Sequence, residues 1–124
     1  AILYKSITGK NDFDSLAILQ RDYILGRNQW GLSFIYNIGS QYPVKLHNQV
    51  AYFTGGYLPG GLSAGPAPAL LLKNYNFKRT NFKYDYFNTD SVKYYDDWSD
   101  FVTNEPTIVG NATAIFVYGY YSNI

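Results

Sequence analysis

Regular alternation of apolar and polar residues is the feature that most constrains the fold of this chain. The even positions of residues 30–36 are all apolar: Trp30, Leu32, Phe34 and Tyr36. Successive side chains of a β-strand point to opposite faces, so this run predicts a strand with one buried face. Two further runs alternate in the same way and three more are rich in apolar residues, which completes the predicted set of strands: Tyr75–Phe77, Phe82–Tyr86, Ile2–Ile7, Val44–Phe53 and Thr113–Tyr121.

Residues 12–25 are compatible with two different structures. Leu16, Leu19 and Tyr23 fall at helical spacing, and Gly26 stands where a helix often ends. The same residues can instead form two short strands on either side of residues 20–22. A length of 124 residues fits one domain. We therefore predict an all-β fold over residues 1–124, either an antiparallel β-sandwich or a jelly-roll-like domain, with at most one or two short helices.

The composition excludes several classes of protein. Aromatic residues make up 19% of the chain and charged residues 15%, which is the opposite of an intrinsically disordered sequence. The chain has no cysteine and one histidine, His47, for which we expect a structural or surface role. We therefore predict no metal site and no cofactor. No apolar run approaches the roughly 20 residues of a membrane span, so no membrane insertion is expected. The chain also lacks methionine, so we expect it to be processed or cut from a longer protein.

A segment rich in glycine and proline, residues 55–68, predicts a long loop. One interpretation is a disordered surface excursion. The other is an arm that packs on a neighbouring subunit, because the segment also carries Tyr57, Leu58 and Leu62. With the surplus of aromatic residues, this second interpretation predicts a homo-oligomer, a closed trimer being favoured, with these three residues at the subunit interface.

Acidic and aromatic residues alternate closely in residues 94–100. Either Asp96 or Asp97 can cap a single helical turn at this point. In the alternative interpretation, carboxylates accept hydrogen bonds from sugar hydroxyls while a sugar ring stacks on an aromatic face. The candidate ligand-binding residues are Trp98, Asp96, Asp97, Asp100, Tyr94 and Tyr95. Trp98 is preferred over Trp30, because Trp30 shares its predicted strand face with apolar residues and is expected in the core.

Charged residues also serve in three other kinds of site: a calcium site, a glycosidase active site and a nucleic acid interface. The acidic cluster does not have the spacing of an EF-hand calcium loop. A glycosidase pair of carboxylates is conceivable, but the chain has a single glutamate. The basic residues of segment 73–83 are interleaved with aromatic residues, as in single-strand nucleic acid binders. Residues 85–105, however, hold six acids against one lysine and would repel a phosphate backbone, so we expect no nucleic acid partner.

The abundance of tyrosine indicates the kind of function. Fourteen tyrosines exceed what one small core can hold, and exposed tyrosine is typical of recognition surfaces. The sequence therefore predicts a non-enzymatic binding module, most readily the carbohydrate- or receptor-binding domain of an extracellular or virion (phage-like) surface protein. Its partner would be a glycan or a cell-surface receptor. The alternative is a structural subunit of a capsid, tail or surface filament, and an enzyme is the least favoured class.

Overall fold

The computed structural model describes residues 1–122, and its regular elements are mostly helices. The helices are α1 (Ile2–Thr8), α2 (Asp14–Ile24), α3 (Gln49–Phe53), α4 (Ala69–Leu72) and α5 (Ile108–Ser122), with a 3₁₀ turn at Asp85–Phe87. Two short strands, β1 (Ala67–Pro68) and β2 (Val92–Lys93), pair antiparallel with Ala67 opposite Lys93. The predicted β-sandwich or jelly roll is therefore wrong, because this two-stranded sheet is the only sheet among the described residues.

Helices occupy two of the predicted strands. Helix α1 covers the run Ile2–Ile7, and α5 covers the run Thr113–Tyr121. A continuous apolar run fits a buried strand and a helix equally well, so its periodicity does not decide between them. The start of α5 is favoured locally, because the Thr107 hydroxyl accepts a hydrogen bond from the Gly110 amide at 3.0 Å.

Two further segments are helical for local reasons. Residues 12–25 adopt the helical alternative as α2, and Gly26 follows it with a φ of 115° that suits glycine. The predicted strand Val44–Phe53 is irregular at first and then forms α3. Helix α3 begins there because the side chain of Asn48 accepts hydrogen bonds from the first-turn amides of Val50 and Ala51.

Residues 30–36 bury three of the four side chains that the alternation singled out, without forming a strand. Trp30, Leu32 and Phe34 are 3%, 0% and 2% exposed, and they form the core together with Tyr84 and Tyr94. The expected core position of Trp30 is confirmed. Ser33 and Ile35 from the opposite predicted face are also buried, at 2% and 8% exposed, so the alternation identified core residues but not a segment with one buried face.

The backbone of residues 30–36 bonds to several different segments, which is why no strand forms. The Phe34 amide donates to the Ile24 carbonyl, while the Ser33 amide donates to the Gln41 carbonyl. A ladder requires one partner segment that runs alongside over several residues. Residues 34–36 pair with residues 60–63 through a single antiparallel bridge between Ile35 and Leu62, which is too short to make a strand.

The two remaining predicted strands are also absent. Residues 75–77 are irregular, and residues 82–86 run into the 3₁₀ turn. Within the second run Tyr84 is buried, whereas Phe82 and Tyr86 are 61% and 91% exposed. The three rings therefore do not share one face, as they would in a strand.

The glycine- and proline-rich loop, residues 55–68, folds back on its own chain. The Ser63 amide donates to the Phe34 carbonyl at 2.9 Å, and the Gly65 amide donates to the Thr103 carbonyl at 2.8 Å. Leu62 packs against the core and Leu58 is half-buried, whereas Tyr57 stays exposed. The predicted role of these side chains at a subunit interface stays a prediction.

The longer helices present apolar side chains to solvent. Neither α2 nor α5 contains a buried residue, and Leu16, Leu19, Ile115 and Phe116 are all exposed. Within residues 1–122, no helix combines the length and apolar character needed to cross a membrane. Within the same residues, no group of three or more histidine or carboxylate side chains is placed to hold a metal ion.

Candidate active site

An open pocket of about 980 Å³ lies at the surface of the chain. Three stretches of the chain line it, drawn from residues 47–53, 78–80 and 97–105. The first stretch includes α3, the second lies in an irregular connection, and the third begins within the acidic and aromatic segment 94–100. The pocket thus forms where segments distant in sequence meet around the predicted binding residues.

Buried carboxylates hold the third stretch in place. Asp96, Asp97 and Asp100 are 2%, 1% and 0% exposed, whereas the carbohydrate-binding interpretation requires carboxylates that face solvent. Each one accepts hydrogen bonds from backbone amides of irregular segments. Such amides have no ladder partner, and when buried they require an acceptor, which a carboxylate with two oxygens supplies well. The physical role of the cluster is therefore to organise the loops around the pocket.

Asp96 and Asp97 each connect two segments of the chain. Asp96 accepts from the amides of Val44 and Lys45, the shortest distance being 2.8 Å to Lys45. Asp97 accepts from the amide of Thr80 at 2.6 Å and from both the amide and the hydroxyl of Ser99. The segment that precedes the pocket is thereby clamped to residues 44–45 and to residue 80.

The two carboxylates differ in their ionisation. Burial raises the pKa of Asp96 above its ordinary value, and the amides of Val44 and Lys45 offset part of that effect. Burial also acts to raise the pKa of Asp97, but hydrogen bonds led by those from Ser99 and Thr80 outweigh it and lower the pKa to about 2. Asp97 is therefore ionised throughout the pH range in which proteins usually work.

Asn104 connects the core to the pocket. Its side-chain oxygen accepts from the buried Tyr94 hydroxyl at 2.6 Å, and its side-chain nitrogen donates to the Lys45 carbonyl at 2.6 Å. Its own carbonyl accepts from the His47 amide at 3.0 Å. Burial raises the pKa of Tyr94 well above its ordinary value, so this hydroxyl stays protonated as a donor.

Glu105 follows this rigid residue and lies exposed in the pocket. Within residues 1–122 its carboxylate makes no hydrogen bond or ion pair. A free carboxylate is thus carried by a backbone that is fixed immediately before it. The position of Glu105 is thus fixed by its backbone, while its carboxylate remains available to a ligand.

Aromatic rings form another wall of the pocket. Trp98 is half-exposed, and the ring of Tyr52 meets it edge-on with centroids 5.4 Å apart. Tyr52 and Phe53 are 58% and 81% exposed. Exposed flat rings of this kind stack on the apolar C–H face of a sugar. His47 lines the same wall, and its Nδ1 lies 2.5 Å from the Trp98 carbonyl oxygen.

The structure brings together some of the predicted site residues and separates others. Trp98 and Asp97 line the pocket, whereas Asp96, Asp100 and Tyr94 lie in the interior beneath it. Tyr95 lies outside the pocket, and its ring face is covered by the guanidinium of Arg79 at 3.7 Å. The part that these residues play in ligand binding stays a prediction.

Sequence reasoning missed three residues of the pocket. His47 was assigned a structural or surface role, Tyr52 was assigned to a strand, and Glu105 served only as an argument against a glycosidase. The signal for Glu105 was nevertheless present, because the single glutamate of the chain stands at the end of its most acidic and aromatic segment. For Tyr52 no comparable signal exists, because α3 brings it to the pocket from a distant part of the sequence.

A protein-family model matches most of the chain. The model of glycosyl hydrolase family 9, a family with an α/α-barrel fold, matches residues 1–118. Comparisons with curated proteins and with solved structures give no match. The family match points to an enzyme, so the predictions of a non-enzymatic binding module and of a structural subunit are wrong. The family match agrees with the helical structure and contradicts the predicted β-sandwich.

Proposed function

Because this chain belongs to glycosyl hydrolase family 9, we propose that its pocket binds a carbohydrate and that Glu105 acts in the cleavage of a glycosidic bond. The observation that supports this most directly is a free carboxylate beside exposed aromatic rings. Sugars offer an apolar face for stacking and a rim of hydroxyls for hydrogen bonds, and the pocket has groups for both.

Glu105 is the better candidate for the general acid. Glycoside hydrolysis commonly uses two carboxyl groups, one of which protonates the oxygen of the leaving sugar. Asp97 is the other carboxylate in the pocket wall, but its pKa of about 2 leaves it without a proton to donate near neutral pH. Glu105 has no competing hydrogen bond among the described residues, so its carboxyl group can contact the substrate directly.

Asp97 is better suited to positioning than to catalysis. A general base works best when its pKa lies near the working pH, and a carboxylate with a pKa of about 2 is a weak base. Its oxygens already accept from Thr80, Asn81 and Ser99. We therefore expect Asp97 to fix the backbone around Trp98, and the second catalytic carboxylate to come from outside the described wall of the pocket.

Trp98 and His47 would contribute to substrate binding. The indole face of Trp98 offers a platform for a sugar ring. A carbonyl oxygen only accepts hydrogen bonds, so the Nδ1 of His47 carries the proton that it donates to Trp98. The Nε2 atom of the neutral ring then keeps a lone pair that can accept from a sugar hydroxyl.

Replacement of Glu105 by glutamine tests the proposal. We expect Glu105→Gln to lower kcat for natural glycosidic bonds by about 10²- to 10⁴-fold, the usual contribution of a general acid. Substrate affinity should change little, because glutamine keeps the size and polarity of the side chain. The release of reducing ends from β-linked polysaccharides measures this loss. Asp90→Asn is the matched control, since it removes an exposed carboxylate outside the pocket.

An activated leaving group separates acid catalysis from other roles of Glu105. The leaving group of a 2,4-dinitrophenyl glycoside is a stable phenolate that departs without protonation. The Glu105→Gln variant should therefore cleave this substrate at nearly the wild-type rate. Loss of both activities together would indicate that Glu105 is the nucleophile or base. Wild-type rates on both kinds of substrate would remove Glu105 from the mechanism.

A further inference from the structure

We propose that a second, cationic cavity of the chain binds a tetrahedral oxyanion with two negative charges, that is, a phosphate or sulfate group. The cavity has a volume of about 210 Å³, and Lys73, Arg79 and Lys93 line it. Among the described residues it shares no lining residue with the pocket that contains Glu105. The oxyanion site would therefore work independently of the proposed carbohydrate pocket.

A small unit of β1, β2 and α4 brings the two lysines to this cavity. Lys93 lies in β2 and pairs with Ala67 of β1, while Lys73 follows the last residue of α4. The Ala69 amide at the start of α4 donates to the Ser91 carbonyl at 2.9 Å, which ties the helix to the segment before β2. Two positive charges that are distant in sequence are thus held at one place.

Arg79 supplies a fixed positive charge to the cavity wall. Its guanidinium donates to the Asp85 carboxylate at 3.0 Å and to the Asn81 carbonyl at 2.9 Å. The rings of Tyr95 and Phe82 lie near the same guanidinium, with centroids 3.7 Å and 4.8 Å from its central carbon. Hydrogen bonds and ring contacts together hold an arginine in one orientation, so its charge stays at the cavity.

The chain itself neutralises only part of this positive charge. The described lining contains no acid, and Asp85, which pairs with Arg79, is the one carboxylate bound to these cations within residues 1–122. In the same part of the chain, the side chains of Lys73 and Lys93 make no hydrogen bond or ion pair. Three cations against one carboxylate leave two positive charges. A phosphate or sulfate group carries the matching negative charge and accepts charge-assisted hydrogen bonds from lysine.

The other groups at the cavity are compatible with an anion. The side chain of Asn76 makes no hydrogen bond among the described residues, so its amide nitrogen can donate to a ligand. Free carbonyl oxygens at the end of α4 would oppose an anion, but those of Ala69, Leu71 and Leu72 already accept backbone hydrogen bonds. A water molecule takes about 30 Å³ of liquid, so the cavity has room for the atoms of a phosphate group.

Calorimetric titration of the full chain with sodium phosphate, near neutral pH and at low ionic strength, tests the proposal. We expect saturable binding with a Kd of about 1 mM or lower, which weakens as sodium chloride is added because salt screens exposed charges. Lys73→Gln and Lys93→Gln should each raise the Kd about three- to tenfold, since each removes a charge and its donors. Both side chains lack partners in the described chain, so the variants should keep their fold, which circular dichroism checks.

Other anions define the chemistry of the ligand. Sodium sulfate should bind about as tightly as phosphate, whereas sodium acetate, which has one charge, should bind about tenfold more weakly. Phenyl phosphate separates a free ion from an ester, because the rings of Tyr75 and Phe77 border the cavity. Tighter binding of phenyl phosphate than of inorganic phosphate would assign the site to phosphate esters, and equal or weaker binding would assign it to the free ion. Acetate that binds as tightly as phosphate would overturn the assignment to a tetrahedral oxyanion.

Two further variants act as controls. Lys10→Gln removes an exposed positive charge that does not line the cavity, and it should leave the phosphate affinity unchanged. Glu105→Gln should also leave it unchanged, so the oxyanion site can fail or succeed whatever the outcome for glycoside cleavage. Absence of saturable phosphate binding would overturn the proposal. An equal loss of affinity in Lys10→Gln and Lys73→Gln would overturn it as well, because the overall charge of the chain would then account for the binding.

Discussion

The imidazole of His47 and the backbone carbonyl of Trp98 are joined by a hydrogen bond of 2.5 Å. This contact ties the only histidine of the chain to the tryptophan of the pocket wall. The amide of His47 also donates to the Asn104 carbonyl at 3.0 Å. His47 is therefore held through both its backbone and its ring, and the backbone on each side of the pocket depends on it.

Two replacements of His47 should show how much the hydrogen bond to Trp98, as distinct from the size of the side chain, contributes to the free energy of unfolding. His47→Leu leaves the Trp98 carbonyl without its donor, and we expect it to lower the free energy of unfolding by about 1 kcal/mol. His47→Asn keeps an N–H donor near the position of Nδ1 and should lose less. Urea denaturation of both variants measures the difference, and equal losses would show that the hydrogen bond contributes no stability.

The two tryptophans should respond differently to truncation. Trp30 is 3% exposed in the core, and its indole N–H donates to Asn88 at 2.9 Å, so Trp30→Ala should cost about 3–5 kcal/mol of stability. Trp98 is half-exposed in the pocket wall, so Trp98→Ala should cost much less and yet abolish carbohydrate binding. Denaturation and saccharide titration of both variants provide the comparison. Collapse of the fold in Trp98→Ala would remove the basis for assigning it to the site.

Asp97 should make stability depend on pH in the acidic range. Its pKa is about 2 in the folded chain against 3.8 ordinarily, so its contribution is fully present above about pH 4 and is lost as the pH falls toward 2. A shift of this size corresponds to about 2 kcal/mol. The stability difference between wild type and Asp97→Asn should therefore shrink by about that amount between pH 5 and pH 2.

The Asp97 measurement has a direct control. Asp90→Asn removes one negative charge from an exposed position outside the buried network, and its stability difference from wild type should stay nearly constant over the same range. A constant difference for Asp97→Asn as well would mean that its hydrogen bonds to Thr80 and Ser99 do not favour the ionised form.

The sequence located buried side chains better than it located backbone structure. Burial of Trp30 could be predicted because alternation reports which side chains point inward. The backbone structure of residues 30–36 could not be predicted. Its amides bond to Ile24 and Gln41, and only the tertiary fold brings these residues close to it. The helical state of α5 was equally hidden, since an apolar run has no period that distinguishes a helix from a strand.

The candidate site was only partly visible in the sequence for a related reason. Trp98 could be singled out because its acidic neighbours made burial of the indole costly. The neighbours were nevertheless buried, because Asp96 and Asp97 are satisfied by backbone amides of residues 44–45 and 80–81. Glu105 alone among the carboxylates of that segment was left free in the pocket, and local sequence does not reveal which acid will be free.

Association of the chain is expected from its exposed apolar surface. Leu19, Ile115 and Phe116 are 61%, 74% and 52% exposed on α2 and α5, and Tyr57 is 62% exposed on the loop. Exposed apolar patches of this kind mark interaction surfaces in soluble proteins. We therefore expect a mass above that of a monomer in light scattering at micromolar concentration, with a closed trimer as the favoured form.

Substitutions on the two exposed surfaces identify which of them carries the association. Phe116→Lys should reduce the measured mass if the face of α5 is covered by another subunit, because a lysine there would be buried without a partner. Tyr57→Ser tests the loop by removing its exposed ring, and Tyr86→Ser serves as the control, since it removes a ring elsewhere that is 91% exposed. A monomeric wild type would contradict the prediction, and an unchanged mass in both test variants would place the interface on another surface.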